Sequence, residues 1–168
     1  MFIRRYTAKV TQLKYRIIEI LCVAALIVFI IMLCVSRSGG TDKDIKAISS
    51  PVVKTISAKQ MTKKSNADAV KTLKIDLSKT EGIVYYANDN VMNVSELFIA
   101  KLNNSDDSEE FKEKIELRVE EQKKLYKSYA PKQYSLLENS VIETNGNTVF
   151  YCVSKNAGTL AEIFKNSL

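Results

Sequence analysis

Residues 17–35 read IIEILCVAALIVFIIMLCV, an apolar run of 19 residues broken only by Glu19. Coiled as a helix, such a run rises about 28 Å, close to the hydrocarbon thickness of a bilayer. Everything after it is polar, patterned chain of domain size. The sequence therefore predicts a domain tethered to membrane lipid by its N-terminal segment, with Ile17, Leu26, Phe29 and Val35 among the residues of the anchor.

The flanks set an orientation. Arg4, Arg5, Lys9, Lys14 and Arg16 precede the run with no acid among them, whereas Arg37, Lys43 and Lys46 after it are offset by Asp42 and Asp44. Positive charge is retained on the cytoplasmic side. Glu19 lies within a turn of the basic end, as a snorkelling boundary residue. A cleaved signal peptide is the competing reading, but its apolar core is shorter, about 7–15 residues, and Ser36-Arg37-Ser38 is a weak cleavage site. Neither Cys22 nor Cys34 follows small residues, so a lipoprotein signal does not fit. The expected organisation is a basic cytoplasmic arm over 1–16, a transmembrane signal anchor over 17–35, a linker with a short helix over 36–64, and an extracytoplasmic domain over 65–168.

The formal charge of +6 is a topology signal. Residues 1–40 hold six basic groups and one acid, and the remaining 128 hold 19 basic groups against 18 acids. A nucleic-acid face would need cations clustered on the folded part, so no nucleic-acid partner is expected. Only Cys152 falls downstream of the anchor, which excludes an intradomain disulfide, and the chain has no histidine, the commonest metal ligand and general base. No cofactor and no metal site is expected.

Along the domain, Ser65 and Asn66 cap a helix over 67–74. The period then shortens. Residues 82–87 (GIVYYA) and 95–102 (SELFIAKL) read as strands, the second apolar on both faces and so covered on both. Residues 103–108 (NNSDDS) cap a long amphipathic helix on which Phe111, Ile115, Val119, Gln122, Tyr126 and Tyr129 recur, with Glu110–Lys114 and Glu120–Lys124 pairs on its wet side. Ala130-Pro131 ends that helix and opens a short one. Asn145-Gly146 between apolar runs predicts a two-residue hairpin pairing Thr144 with Asn147 and Ile142 with Val149. A last helix over 156–166 presents Leu160, Ile163 and Phe164. The order αα-ββ-α-ββ-α implies an α+β domain on a four-stranded antiparallel sheet.

Met92 with Ser95-Glu96-Leu97, the Tyr129-Ala130-Pro131 break and the Val141…Gly146…Val149 hairpin form a recognisable combination. It resembles a bacterial domain-of-unknown-function family, number four-three-five-eight, over about residues 65–164. The resemblance implies a membrane- or lipid-anchored envelope protein with the same fold, and a partnership with envelope acyl-transfer machinery. It carries over no catalytic residue. Many members look lipid-anchored where this chain has an apolar run.

Three side chains stand out as ligand or partner contacts: Glu96, Tyr85 and Tyr129. Glu96 precedes an apolar strand core, where it would hold a sugar or a cation; the plainer reading is a solvated strand-end acid paired with a lysine. The tyrosines would stack on sugars or touch a protein, or else line a helix–sheet interface with hydroxyls at its rim. Cys152 reads as a small core residue, and Asp106, Asp107, Glu109 and Glu110 as helix-capping acids, since the loop lacks EF-hand spacing. No catalytic residue is assigned. The expected function is a non-enzymatic accessory module that binds an envelope protein or cell-wall polymer. The alternatives are a carbohydrate-active enzyme built on paired carboxylates, an accessory of an acyl-transfer system, and an anchor that itself pairs with another helix.

Overall fold

The computed structural model describes residues 16, 18–30, 40–56 and 60–168. The chain divides into two compact units, Met1–Ser38 and Gly39–Leu168. In the first, residues 18–30 are helical, and Leu26 and Phe29 on that helix are exposed. Ile17 and Val35, named with them as anchor residues, lie outside the described residues, as does residue 31 onward to 39. Among the described residues no helix is long and apolar enough to cross a membrane.

The second unit is an α+β fold. Helix α1 (Ile45–Thr55) comes first, then strand β1 (Thr62–Lys63), helix α2 (Asn66–Leu73), strand β2 (Thr80–Ala87) and strand β3 (Glu96–Leu102). Helices α3 (Ser108–Tyr126) and α4 (Pro131–Glu138), strands β4 (Val141–Asn145) and β5 (Thr148–Val153), and helix α5 (Ala157–Ser167) complete it. The sheet is antiparallel throughout, in the order β1-β2-β3-β5-β4. It has five strands where four were expected. The extra one, β1, is two residues long, too short to show any period, and it pairs Thr62 with Ala87 at the sheet edge.

β3 is buried along its whole length because helices cover both faces of the sheet. Phe98, Ala100 and Leu102 face a core built with Phe111, Ile115 and Val119 of α3 and Ala69 and Leu73 of α2. Leu97 and Ile99 face a second core with Ile48 and Val52 of α1 and Leu160, Ala161 and Phe164 of α5. The rings of Phe150 and Phe164 stack there at 4.9 Å. The stretch 36–64 was expected to be a linker whose short helix began at Pro51. Instead, α1 starts six residues earlier, carries Pro51 inside it, and gives Ile48 and Val52 to the core, to which Met61 just before β1 adds a third side chain. The i,i+4 pair Ile48 and Val52 outweighs the one backbone bond that proline forgoes.

The hairpin register also differs from the expected one. Asn145 pairs with Thr148, Thr144 with Val149 and Ile142 with Tyr151, so the two-residue loop is Gly146-Asn147. Positive φ falls on Gly146 alone, at the first loop position, rather than on Asn145 and Gly146 together. Asn147 is engaged by the rest of the fold. Its carbonyl accepts from the Leu102 N–H at 2.7 Å, and its side chain accepts from the Thr41 N–H at 3.1 Å. The shift is by two in pairing sum, so every side chain keeps its face. Those bonds also fix where the chain enters the unit, at the Leu102 end of β3. Glu96 lies at the other end of that strand, six residues or roughly 20 Å away.

Candidate functional site

A polar cleft of about 390 Å³ opens at the Glu96 end of the sheet. Its floor is Tyr85 and Ala87 of β2 with Glu96, and its walls are α2, the β2–β3 loop and α3. The local sequence explains each wall. On α2, Ser65 and Asp68 form a capping box, the Ser65 hydroxyl accepting from the Asp68 N–H and the Asp68 carboxylate accepting from the Ser65 N–H. In the loop, the Asn88, Asn90 and Asn93 side chains each accept from the backbone N–H two residues on. The loop is pinned to the body by the Tyr126 hydroxyl, which donates to the Val91 carbonyl at 2.8 Å, and by the Val94 N–H, which donates to Gln133 at 3.0 Å. On α3, Arg118 and Gln122 are one turn apart and both line the cleft.

Glu96 is 2% exposed, so it is not the solvated strand-end acid that the plainer reading expects. Alternation along the strands puts it on the same face as Phe98, whose cross-strand partners are Tyr85 and Tyr151. The Tyr85 hydroxyl donates to one carboxylate oxygen, while Tyr151 at 3.2 Å and the Arg118 Nε at 3.1 Å donate to the other. A buried carboxylate survives only when paired and hydrogen-bonded, and here a cation and two hydroxyls do both. Burial, then the Glu96 charge, pushes the Tyr85 and Tyr151 hydroxyls well above the ordinary tyrosine range, so both keep their protons and go on donating. Burial disfavours the Arg118 cation, but Glu96 outweighs it and the guanidinium is held charged.

Arg118 lines this cleft and also a smaller pocket between α2 and α3. Its side chain is 24% exposed, and its bond to Glu96 is its one hydrogen bond among the described residues. Beside it, the Oε1 of Gln122 is shut off from solvent without any hydrogen-bond partner among the described residues. An orphaned buried acceptor costs about 1–3 kcal/mol, which a protein tolerates where a ligand can supply the missing donor. Of the other charges, Lys64 pairs with Asp89, and hydrogen bonds from Ser65 hold the Asp68 carboxyl below its usual range.

The structure thus brings Glu96 and Tyr85 together, adds Tyr151, and leaves Tyr129 out. Tyr129 lies beyond the end of α3, is 58% exposed, and rests its ring 5.4 Å from that of Tyr126. Arg118 was not among the expected contacts. It sits on the flank of the buried α3 face, three residues after Ile115 and four before Gln122, and only the register of β2 and β5 reveals its carboxylate partner. Cys152 is fully buried on β5, with its thiol 3.6 Å from the Ser154 hydroxyl. Asp107 and Glu110 of the acidic cluster clasp Lys79 at 2.8 and 2.5 Å.

Fold and site together define a small α+β module with a polar cleft at one end of its sheet. The chain belongs to the family described as Domain of unknown function (DUF4358), which residues 54–154 match. The match runs from the last turn of α1 to the end of β5, starting earlier and stopping sooner than the resemblance over 65–164. No curated protein and no solved structure matches the chain significantly.

Proposed function

We propose that this chain is a non-enzymatic binding module of the bacterial cell envelope, held at the membrane by its N-terminal apolar segment and using the cleft over Arg118 as its site. The observation that carries this reading is the arginine itself. A cation held at Nε by a buried carboxylate lines an open polar cleft, and its remaining N–H groups have no protein acceptor among the described residues. Pre-ordering of that kind reduces the entropy cost of binding. The apolar run supports the tether: Leu21, Leu26, Val28 and Phe29 are exposed around residues 18–30, the pattern of a helix meant for an apolar medium. A tether raises local concentration toward the millimolar range, so a weak site suffices.

The enzyme alternative asks for a carboxylate free to move a proton. The two that line the cleft are both committed, Glu96 to three donors and Asp68 to the helix cap. The binding reading is therefore preferred. The test is site-specific photocrosslinking in intact cells, with a photoreactive residue in place of Val91 at the cleft rim or Thr159 on α5. A defined adduct from position 91 and none from 159 is the expected result. Equal labelling from both, or failure of externally added protease to reach the Gly39–Leu168 unit, refutes it.

A further inference from the structure

We infer that the cleft recognises an acidic sugar: a saccharide whose single carboxylate meets the outer edge of Arg118 while a neighbouring amide N–H or hydroxyl donates to Gln122. The inference rests on the binding-module reading above and gives it a ligand class.

Three observations converge on it. First, Arg118 and Gln122 stand one turn apart on α3 and offer opposite hydrogen-bonding characters, a fork of donors and an unpartnered acceptor that a rotation of the Gln122 amide brings to the cleft. A ligand that satisfies both needs an anionic acceptor and a donor within a few ångströms of each other, as a carboxylated, N-acylated sugar has. Second, the charges lining the cleft are Lys64 and Arg118 against Asp68 and Glu96, which balance. A singly charged carboxylate can share the Arg118 cation, whereas the second charge of a phosphate would find the other lining cation, Lys64, already paired with Asp89. Third, the remaining lining is small and polar (Thr72, Asn88, Asn90, Asn93), with the exposed Val91 as apolar surface for the C–H face of a ring. The volume of about 390 Å³ lies at the small-ligand end of the range for binding pockets.

The test uses the full chain in detergent micelles and two probes that differ in one group: N-acetylmuramic acid, which carries a carboxylate, and N-acetylglucosamine, which lacks it. Binding is followed through amide chemical shifts of residues 88–96 and 118–122. N-acetylmuramic acid is expected to bind at least tenfold more tightly than N-acetylglucosamine. R118M, which strips the cation from Glu96, is expected to abolish that preference but also to weaken the fold. Q122M separates the two effects: removing the orphaned acceptor leaves the melting temperature unchanged or raised, yet weakens N-acetylmuramic acid binding severalfold. Equal affinity for both probes, no shift with either at millimolar concentrations, or a Q122M protein that binds as the wild type does overturns the acidic-sugar assignment. Crosslinking from position 91 judges the module reading independently, so a defined adduct there without probe binding refutes the ligand class alone.

Discussion

Replacing Glu96 by glutamine keeps the shape of the side chain and removes its charge, so it isolates what the buried carboxylate does. In the wild type one oxygen takes the Tyr85 hydroxyl and the other takes Tyr151 and the Arg118 Nε. Glutamine turns one of those oxygens into a donor. With its NH₂ toward Tyr85, it loses a charge-assisted hydrogen bond worth about 1.5–3 kcal/mol and strips Arg118 of its counter-ion. Breaking a fully buried pair costs about 3–5 kcal/mol; the Arg118 side chain is 24% exposed, so water screens part of the loss. The expected cost is about 3 kcal/mol, which at roughly 3 °C per kcal/mol lowers the melting temperature by about 10 °C. Urea unfolding of the full chain in micelles measures it, followed by near-ultraviolet circular dichroism of the tyrosines, since the chain has no tryptophan. A double-mutant cycle with R118M should give a coupling of at least about 1 kcal/mol. A cost for E96Q under about 1 kcal/mol, the range of an exposed pair, or additivity within about 0.5 kcal/mol, refutes the reasoning.

Other outcomes follow from the same structure. Burial pushes the Cys152 thiol up to about 11, so in a variant with Cys22 and Cys34 replaced by serine, iodoacetamide at pH 8 should leave Cys152 unmodified until urea is added. Because the native thiol is held protonated above its ordinary value, its contribution to stability falls as pH rises between about 9 and 11. On the acid side, bonds from Lys114 and then Lys79 hold the Glu110 carboxyl at about 2, and Asp68, Asp76 and Asp89 are also lowered. Their stabilisation is complete above the ordinary carboxylate range and is lost as pH falls toward 2; a carbon-13 titration midpoint for Glu110 at about 4 would contradict this. A Cβ on Gly82 would lie 2.9 Å from the Ile45 Cγ2, so G82A should cost about 1–3 kcal/mol in a denaturant melt, and I45A should remove most of that added penalty.

Long, strongly patterned elements were legible because one physical signal governed each. Ser65 and Asn66 announced α2, the apolar residues of α3 announced its buried face, and the double-sided apolar run of β3 announced cover on both sides. What escaped was set by tertiary contact. The pairing of β1 with β2 gives two residues no period to display. The hairpin loop moved by one residue because Asn147 serves both β3 and the chain entry. One predicted pair, Glu110–Lys114, forms at 2.6 Å, while Glu120 turns to Lys123 at 2.8 Å instead of Lys124, since both spacings are within reach on a helix. Glu96 and Tyr85 could be singled out by residue type, but not brought together, because their contact depends on strand register. Arg118 carries no signal of its own: on the flank of a buried helix face, an arginine that reaches out to water and one locked to a buried carboxylate look alike until the sheet beneath the helix is known.

Thr41 and Lys43, before α1, lie beside the residues that end α5, Thr41 donating its hydroxyl to the Leu168 carbonyl at 3.3 Å and Lys43 donating to the Ser167 carbonyl at 2.9 Å. Both are at the Leu102 end of β3, away from the cleft. A sensor chip, resin or fluorescent protein coupled through either terminus of this unit would therefore leave the mouth of the cleft unobstructed, so immobilised-protein measurements should agree with those made in free solution.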